Sequence, residues 1–236
     1  MLSIPSYVQA SGSVGAPVTY EWNDSDVPTF YTETDRIQAT IAKATTAGAV
    51  ALALGALEWI AWRMPHRENA EVVLQAIEAM WAGIIDIRYV RSLRHSPLAL
   101  KRADWQGPER GAMYVAYKQL KDLRNCLEST EPASPEASCA IRMGRFVLPD
   151  PAPFERWWHA VLDRLVEQHP KAEEGPDDVG RPIPRDAVDP NAPYDAGQDG
   201  VLLGRFLAGL DPAGNPLLAT PEEMKSAGFP GEPYRL

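Results

Sequence analysis

The sequence predicts an all-α protein: a bundle of about four long helices, led by a short irregular or hairpin segment and followed by an extended acidic arm. Three observations predict it. Apolar residues recur at helical spacing in four successive stretches between residues 32 and 169. The overall composition, 45% hydrophobic and 23% charged, is that of a globular chain. Residues 170–236 differ from the rest, holding 11 of the 22 prolines and 9 of the 17 glycines, with 12 acids against 6 bases. That composition suits an extended course better than a packed helix. The expected divisions are therefore 1–31, an irregular N-terminal segment; 32–169, the bundle; and 170–236, an acidic arm packed on it.

In the first segment, Val18, Tyr20 and Trp22 alternate with Thr19 and Glu21, which reads as a short hairpin. Residues 1–20 lack the basic start and continuous apolar run of an export signal. The first helix is expected to begin at Thr32 or Thr34 and to run to Arg63, before Pro65. Ala47, Ala51 and Gly55 recur every four residues beside Ala44 and Gly48, a small-residue face that lets another helix come close. Ala47–Leu57 is apolar all round, the mark of a central helix. The charge-free run Ala44–Leu57, bracketed by Lys43 and Glu58, is shorter than the ~20 residues a membrane span needs.

A second helix is predicted from Glu68 to Leu93, with Val73, Ile77, Met80, Ile84 and Ile87 on one face. A third starts at Pro108, a suitable first-turn residue, with Ala116, Leu120, Leu123 and Leu127 as its stripe. A fourth follows Asp150 and buries Phe154, Trp157, Trp158, Val161 and Leu165 before ending at Pro170. In the arm, Val201–Leu210 reads as a short helix anchored by Leu203, Phe206 and Leu207. Thr220-Pro221-Glu222-Glu223 reads as a capping box, and Phe229, Tyr234 and Leu236 as further anchors.

The search for chemistry is mostly negative. The chain has no phosphate loop, GxGxxG, GxSxG or HExxH. Its histidines, His66, His95, His159 and His169, are scattered. Glu155 and His159 share a helix face, which reads as a solvated pair rather than a metal site. Cys126 falls near an apolar stripe and reads as a buried, inert thiol. Asp189, Asp195 and Asp199 with Gly197 and Gly200 have the wrong spacing for a twelve-residue calcium loop. No catalytic residue, cofactor or metal ligand is assigned.

Two features stand above this background. Glu58 follows eleven apolar residues, so its carboxylate enters the core and needs a partner. Arg88 and Arg91 are the expected partners, with Arg63 a third candidate; Trp59 and Arg63, four apart, are placed for a cation–π contact. The stretch Arg88, Arg91, Arg94, Lys101, Arg102 and Arg110 is basic against only Asp104 and Glu109. In a chain of net charge -9 it suits the protein's own acidic arm or an acidic partner better than nucleic acid. The arm offers Glu173, Glu174, Asp177, Asp178, Asp186, Asp189, Asp195 and Asp199 to a basic partner.

The expectation is a non-enzymatic, cytoplasmic binding protein of the bacterial immunity type, a class-level analogy in which a small acidic protein occludes a cognate toxin. An adaptor or chaperone of a secreted effector is one alternative. A helical enzyme with a site near Glu58 or His159 is another. Neither nucleic acid nor membrane is an expected partner, and a homodimer is left open.

Overall fold

The structure, a computed structural model, describes residues 2–23, 36–64, 67–91, 102–172 and 179–236. Among them are nine α-helices: α1 (Ser6–Gln9), α2 (Arg36–Ile41), α3 (Thr46–Arg63), α4 (Arg67–Ile85), α5 (Pro108–Ser129), α6 (Ser134–Val147), α7 (Ala152–Gln168), α8 (Asp199–Ala208) and α9 (Pro221–Ser226). The described residues form no strand, only one isolated antiparallel bridge between Val90 and Leu218. The chain is all-α.

The apolar circumference of α3 makes it the central helix. All its residues except Trp62 are buried, and α4, α5, α6 and α7 pack around it. Five long helices are therefore present where the sequence suggests four. The addition, α6, lies in a stretch with no sequence stripe assigned to it; Pro135 stands in its first turn, and Ile141, Met143 and Val147 are fully buried. The predicted first helix is broken. After α2 the chain turns at 42–45, and the Thr45 hydroxyl accepts a hydrogen bond from the Gly48 N–H (3.1 Å) to cap α3. The expected start at Thr32 or Thr34 lies outside the described residues.

α4 stops before Asp86, whose carboxylate caps the 3₁₀ turn Ile87–Tyr89 instead of continuing the helix to Leu93. Residues 18–22 form no hairpin. Tyr20 donates its hydroxyl to the Pro108 carbonyl (2.7 Å), and Trp22 packs against Gly111, so side-chain docking takes the place of strand pairing.

Small residues admit close neighbours as expected. A Cβ on Gly55 would stand 2.6 Å from Cζ2 of Trp157, so α7 approaches α3 through a position that only glycine leaves open.

The C-terminal segment is packed along its described length and is more helical than an extended strap. It joins the start of α3 through the Ala47 N–H to the Val179 carbonyl (2.8 Å) and buries Ile183. A 3₁₀ turn at Arg185–Val188 then meets α3 and α7. Trp157 Nε1 donates to the Val188 carbonyl (2.9 Å), and the Arg164 guanidinium gathers the carbonyls of Ala187, Asp189, Pro190 and Ala192. Such carbonyl clamping satisfies backbone that a proline-rich course leaves without helical partners. Leu203 and Leu207 of α8 are buried, and Phe206 is half-buried.

Candidate functional site

Glu58 is the point where the C-terminal segment meets the core. It lies in the C-terminal half of α3 and is fully buried. Its Oε1 accepts from Trp81 Nε1 of α4 (2.7 Å) and from Arg185 Nε (2.9 Å); its Oε2 accepts from Arg185 Nη2 (2.5 Å). Arg185 Nη2 also donates to the Ser3 carbonyl (2.7 Å), so the N-terminus, the core and the C-terminal segment share one guanidinium. Burial opposes the charge on Arg185, but the Glu58 carboxylate more than offsets it and the guanidinium pKa is raised.

None of the three expected partners reaches Glu58. Arg88 is held by its own neighbour Asp86 (Nη2 to Oδ2 2.5 Å), whose pKa that hydrogen bond lowers, and donates to the Gly228 carbonyl. Arg91 pairs with Glu223 (2.8 Å) and donates to the Pro216 carbonyl. Arg63 donates to the Pro17 carbonyl (2.8 Å) and lies over the ring of Tyr20, not Trp59. Trp59 is instead enclosed by Tyr7, Phe154 and Trp157.

Of the basic stretch, Arg88 and Arg91 thus grip the chain's own C-terminal segment. Arg110 is exposed; Arg94, Lys101 and the side chain of Arg102 lie outside the described residues. Glu223 completes the capping box with Thr220 while pairing with Arg91. Behind this contact, buried Asn215 donates from Nδ2 to the Gln75 carbonyl and to Glu78 Oε2 (both 2.9 Å), and the Ala219 N–H reaches the Tyr89 carbonyl (2.8 Å).

The acidic residues divide into two groups. Asp186 and Asp195 are exposed. Asp189 accepts from the Ser6 hydroxyl (2.6 Å) and the Asn191 N–H (3.0 Å). Asp199 does not face solvent as expected. It is buried at the start of α8, where the Tyr194 hydroxyl donates to its Oδ1 (2.6 Å). The same hydroxyl lies 2.7 Å from His169 Nε2 at the end of α7. Because the Tyr194 O–H donates to Asp199, the phenol oxygen accepts from the N–H at Nε2 of His169. Its Nδ1 is left buried with no protein partner, and burial lowers the imidazole pKa. Glu173, Glu174, Asp177 and Asp178 lie outside the described residues.

Asp186 and Asp189 join Tyr7, Arg185, Arg205 and Phe206 around a cavity of about 240 Å³ between α1 and α8. The other reactive candidates are tied up. Burial pushes the thiols of Cys126 and Cys139 up to about 12, so neither is a thiolate at neutral pH. Glu155 is paired with Arg145 and accepts from Trp158 Nε1, while His159 stacks on the Trp158 ring. Among the described residues no group of three His, Cys, Asp or Glu could hold a metal ion, and no helix is long and apolar enough to cross a membrane.

Sequence reasoning missed Arg185, Trp81, Arg164 and Asn215. Arg185 and Glu58 are 127 positions apart, beyond the reach of any helical periodicity. The one local signal is the charged pair Arg185-Asp186 set between Ile183-Pro184 and Ala187-Val188. Comparison with family models, with curated proteins and with solved structures finds no match.

Proposed function

We propose that this chain is a non-enzymatic cytoplasmic binding protein that occludes a basic protein partner, in the manner of bacterial immunity proteins that neutralise a cognate toxin. One observation carries the reading. The C-terminal segment is fastened to the helical core through Arg185, Asn215 and Tyr194, while Asp186, Asp195, Asp211 and Glu222 remain exposed along it. Acids on a fixed scaffold retain their spacing, and electrostatic complementarity to a basic toxin surface speeds encounter and sets register. Two free, buried cysteines fit a reducing compartment.

The test is co-expression with a toxin encoded beside this gene. Cells should survive that toxin only when this chain is present, and the purified pair should associate more slowly as salt rises. The double substitution Asp186→Lys, Asp195→Lys should lower the association rate about tenfold and flatten its salt dependence without changing the helical spectrum. Binding without loss of the partner's activity would favour the adaptor or chaperone reading. Absence of both binding and protection would defeat the immunity reading.

A further inference from the structure

A cavity of about 600 Å³ opens between the N-terminal segment, the end of α3 and the first half of α4. Small-molecule sites occupy roughly 300–1,000 Å³ and are mostly apolar, with a few placed polar groups. The cavity lies where α3 reaches the surface. Every other residue of that helix is buried; Trp62 alone is half-exposed, and it lines the cavity. The accessible apolar wall is made by Trp62 with Ile4, half-buried, and Val14, 39% exposed at the rim. Met64 and Leu74 lie behind them as the floor.

The walls are held in place by the fold itself. The Ser3 carbonyl accepts from Arg185 Nη2 (2.7 Å), the Gly15 N–H donates to the Trp62 carbonyl (3.4 Å), and the Pro17 carbonyl accepts from Arg63 Nη2 (2.8 Å). A preformed wall spares a ligand the cost of ordering it. Two side chains then define what the cavity can hold. The Trp62 ring, unlike those of Trp59, Trp157 and Trp158, contacts no other ring and no cation among the described residues. Its Nε1 is buried, so the indole presents ring carbon to the cavity rather than its N–H. An indole face is the best aromatic partner for a cation. Glu71 supplies the one charge of the described lining. It is exposed and has no hydrogen bond or ion pair among the described residues. An anion would meet like charge here, and a neutral apolar molecule would leave the carboxylate unused. A cation on an apolar body matches both.

We propose that this cavity binds a small organic amine with an apolar body. The body lies against Ile4, Val14 and Trp62, and the ammonium is held by the Glu71 carboxylate beside the indole ring. None of the acids assigned to a protein partner lines the cavity, and neither reading depends on the other.

The test is calorimetric titration of the full-length protein with phenethylammonium, with phenethyl alcohol as its neutral counterpart. Saturable binding of the ammonium is expected, with Kd tighter than about 1 mM. The alcohol should bind at least about threefold more weakly. Glu71→Gln should weaken the ammonium at least about threefold and leave the affinity for the alcohol unchanged, because the lost contact is to the charge alone. Val14→Lys, at an exposed position, sets a cation on the rim and should remove binding of the ammonium while the helical spectrum stays the same. Three results overturn the proposal: no saturable binding at that concentration, equal affinity for ammonium and alcohol, or an affinity for the ammonium that Glu71→Gln does not change.

Discussion

Arg185 closes over Glu58 from 127 residues away, so the buried carboxylate of the central helix is neutralised by the C-terminal segment. Removing one side of such a pair leaves a buried, uncompensated charge and typically costs about 3–5 kcal/mol. Glu58→Gln should therefore destabilise the protein by about that amount in denaturant unfolding. Arg185→Met should do the same, and the double variant should cost much less than the two added together. Strict additivity would show that the two side chains do not depend on each other.

Gly55→Ala sets two effects against each other. Replacing glycine in a helix interior gains about 1 kcal/mol of propensity. The new methyl would meet Trp157 at 2.6 Å, and that indole cannot swing away, being stacked between Tyr7 and Phe154 and tied to the Val188 carbonyl. Overpacking of this kind costs about 1–3 kcal/mol, so the net effect should be a lower melting temperature. A variant that melts higher would mean that α7 is free to move off α3.

These two sites mark how far the sequence could be read. Gly55 announced itself because close packing leaves a local mark, small residues at four-residue spacing. The all-α class, the central position of α3 and the capping box at Thr220 were legible for the same reason, each being written within a few turns of chain. The partner of Glu58 was not. Composition suggested arginine, but Arg88 is captured by Asp86 two residues away before it can reach the core. The bend before Thr45 was hidden because the small, weakly apolar residues around it continue the helical pattern across the break. α6 escaped because its buried face is largely Ala, Ser, Gly and Met, which give little contrast along the chain.

Asn215 is a second fastening point for the C-terminal segment. Its amide sits between the Gln75 carbonyl and the Glu78 carboxylate, and its Oδ1 accepts from the Leu217 N–H. Asn215→Asp removes the donor and places a second carboxylate beside a buried one. Limited proteolysis should then cut within 209–220 at least about tenfold faster than in the unsubstituted protein, with α3–α7 remaining as a stable core. Equal cutting rates in the two proteins would show that the segment is held without this contact.

His169 makes the attachment of α8 sensitive to pH. Burial lowers its folded pKa from 6.5, Asp199 raises it in part, and Arg181 lowers it further. Arg164 faces the same group across the Tyr194 ring, 5.6 Å from its centroid. A histidine whose pKa is depressed by folding binds protons more readily when unfolded, so stability rises with pH through that interval. The contribution is complete above the unfolded pKa of 6.5 and declines as pH falls from there towards the lower folded value. The physical event is charging of a buried imidazole whose Nδ1 has no protein acceptor, beside a hydroxyl already committed to Asp199. Between about pH 7 and pH 5.5, the melting temperature of the unsubstituted protein should fall more steeply than that of His169→Gln, whose amide can still donate to Tyr194 but takes up no proton. Parallel curves for the two proteins over that interval would assign the acid sensitivity to other groups.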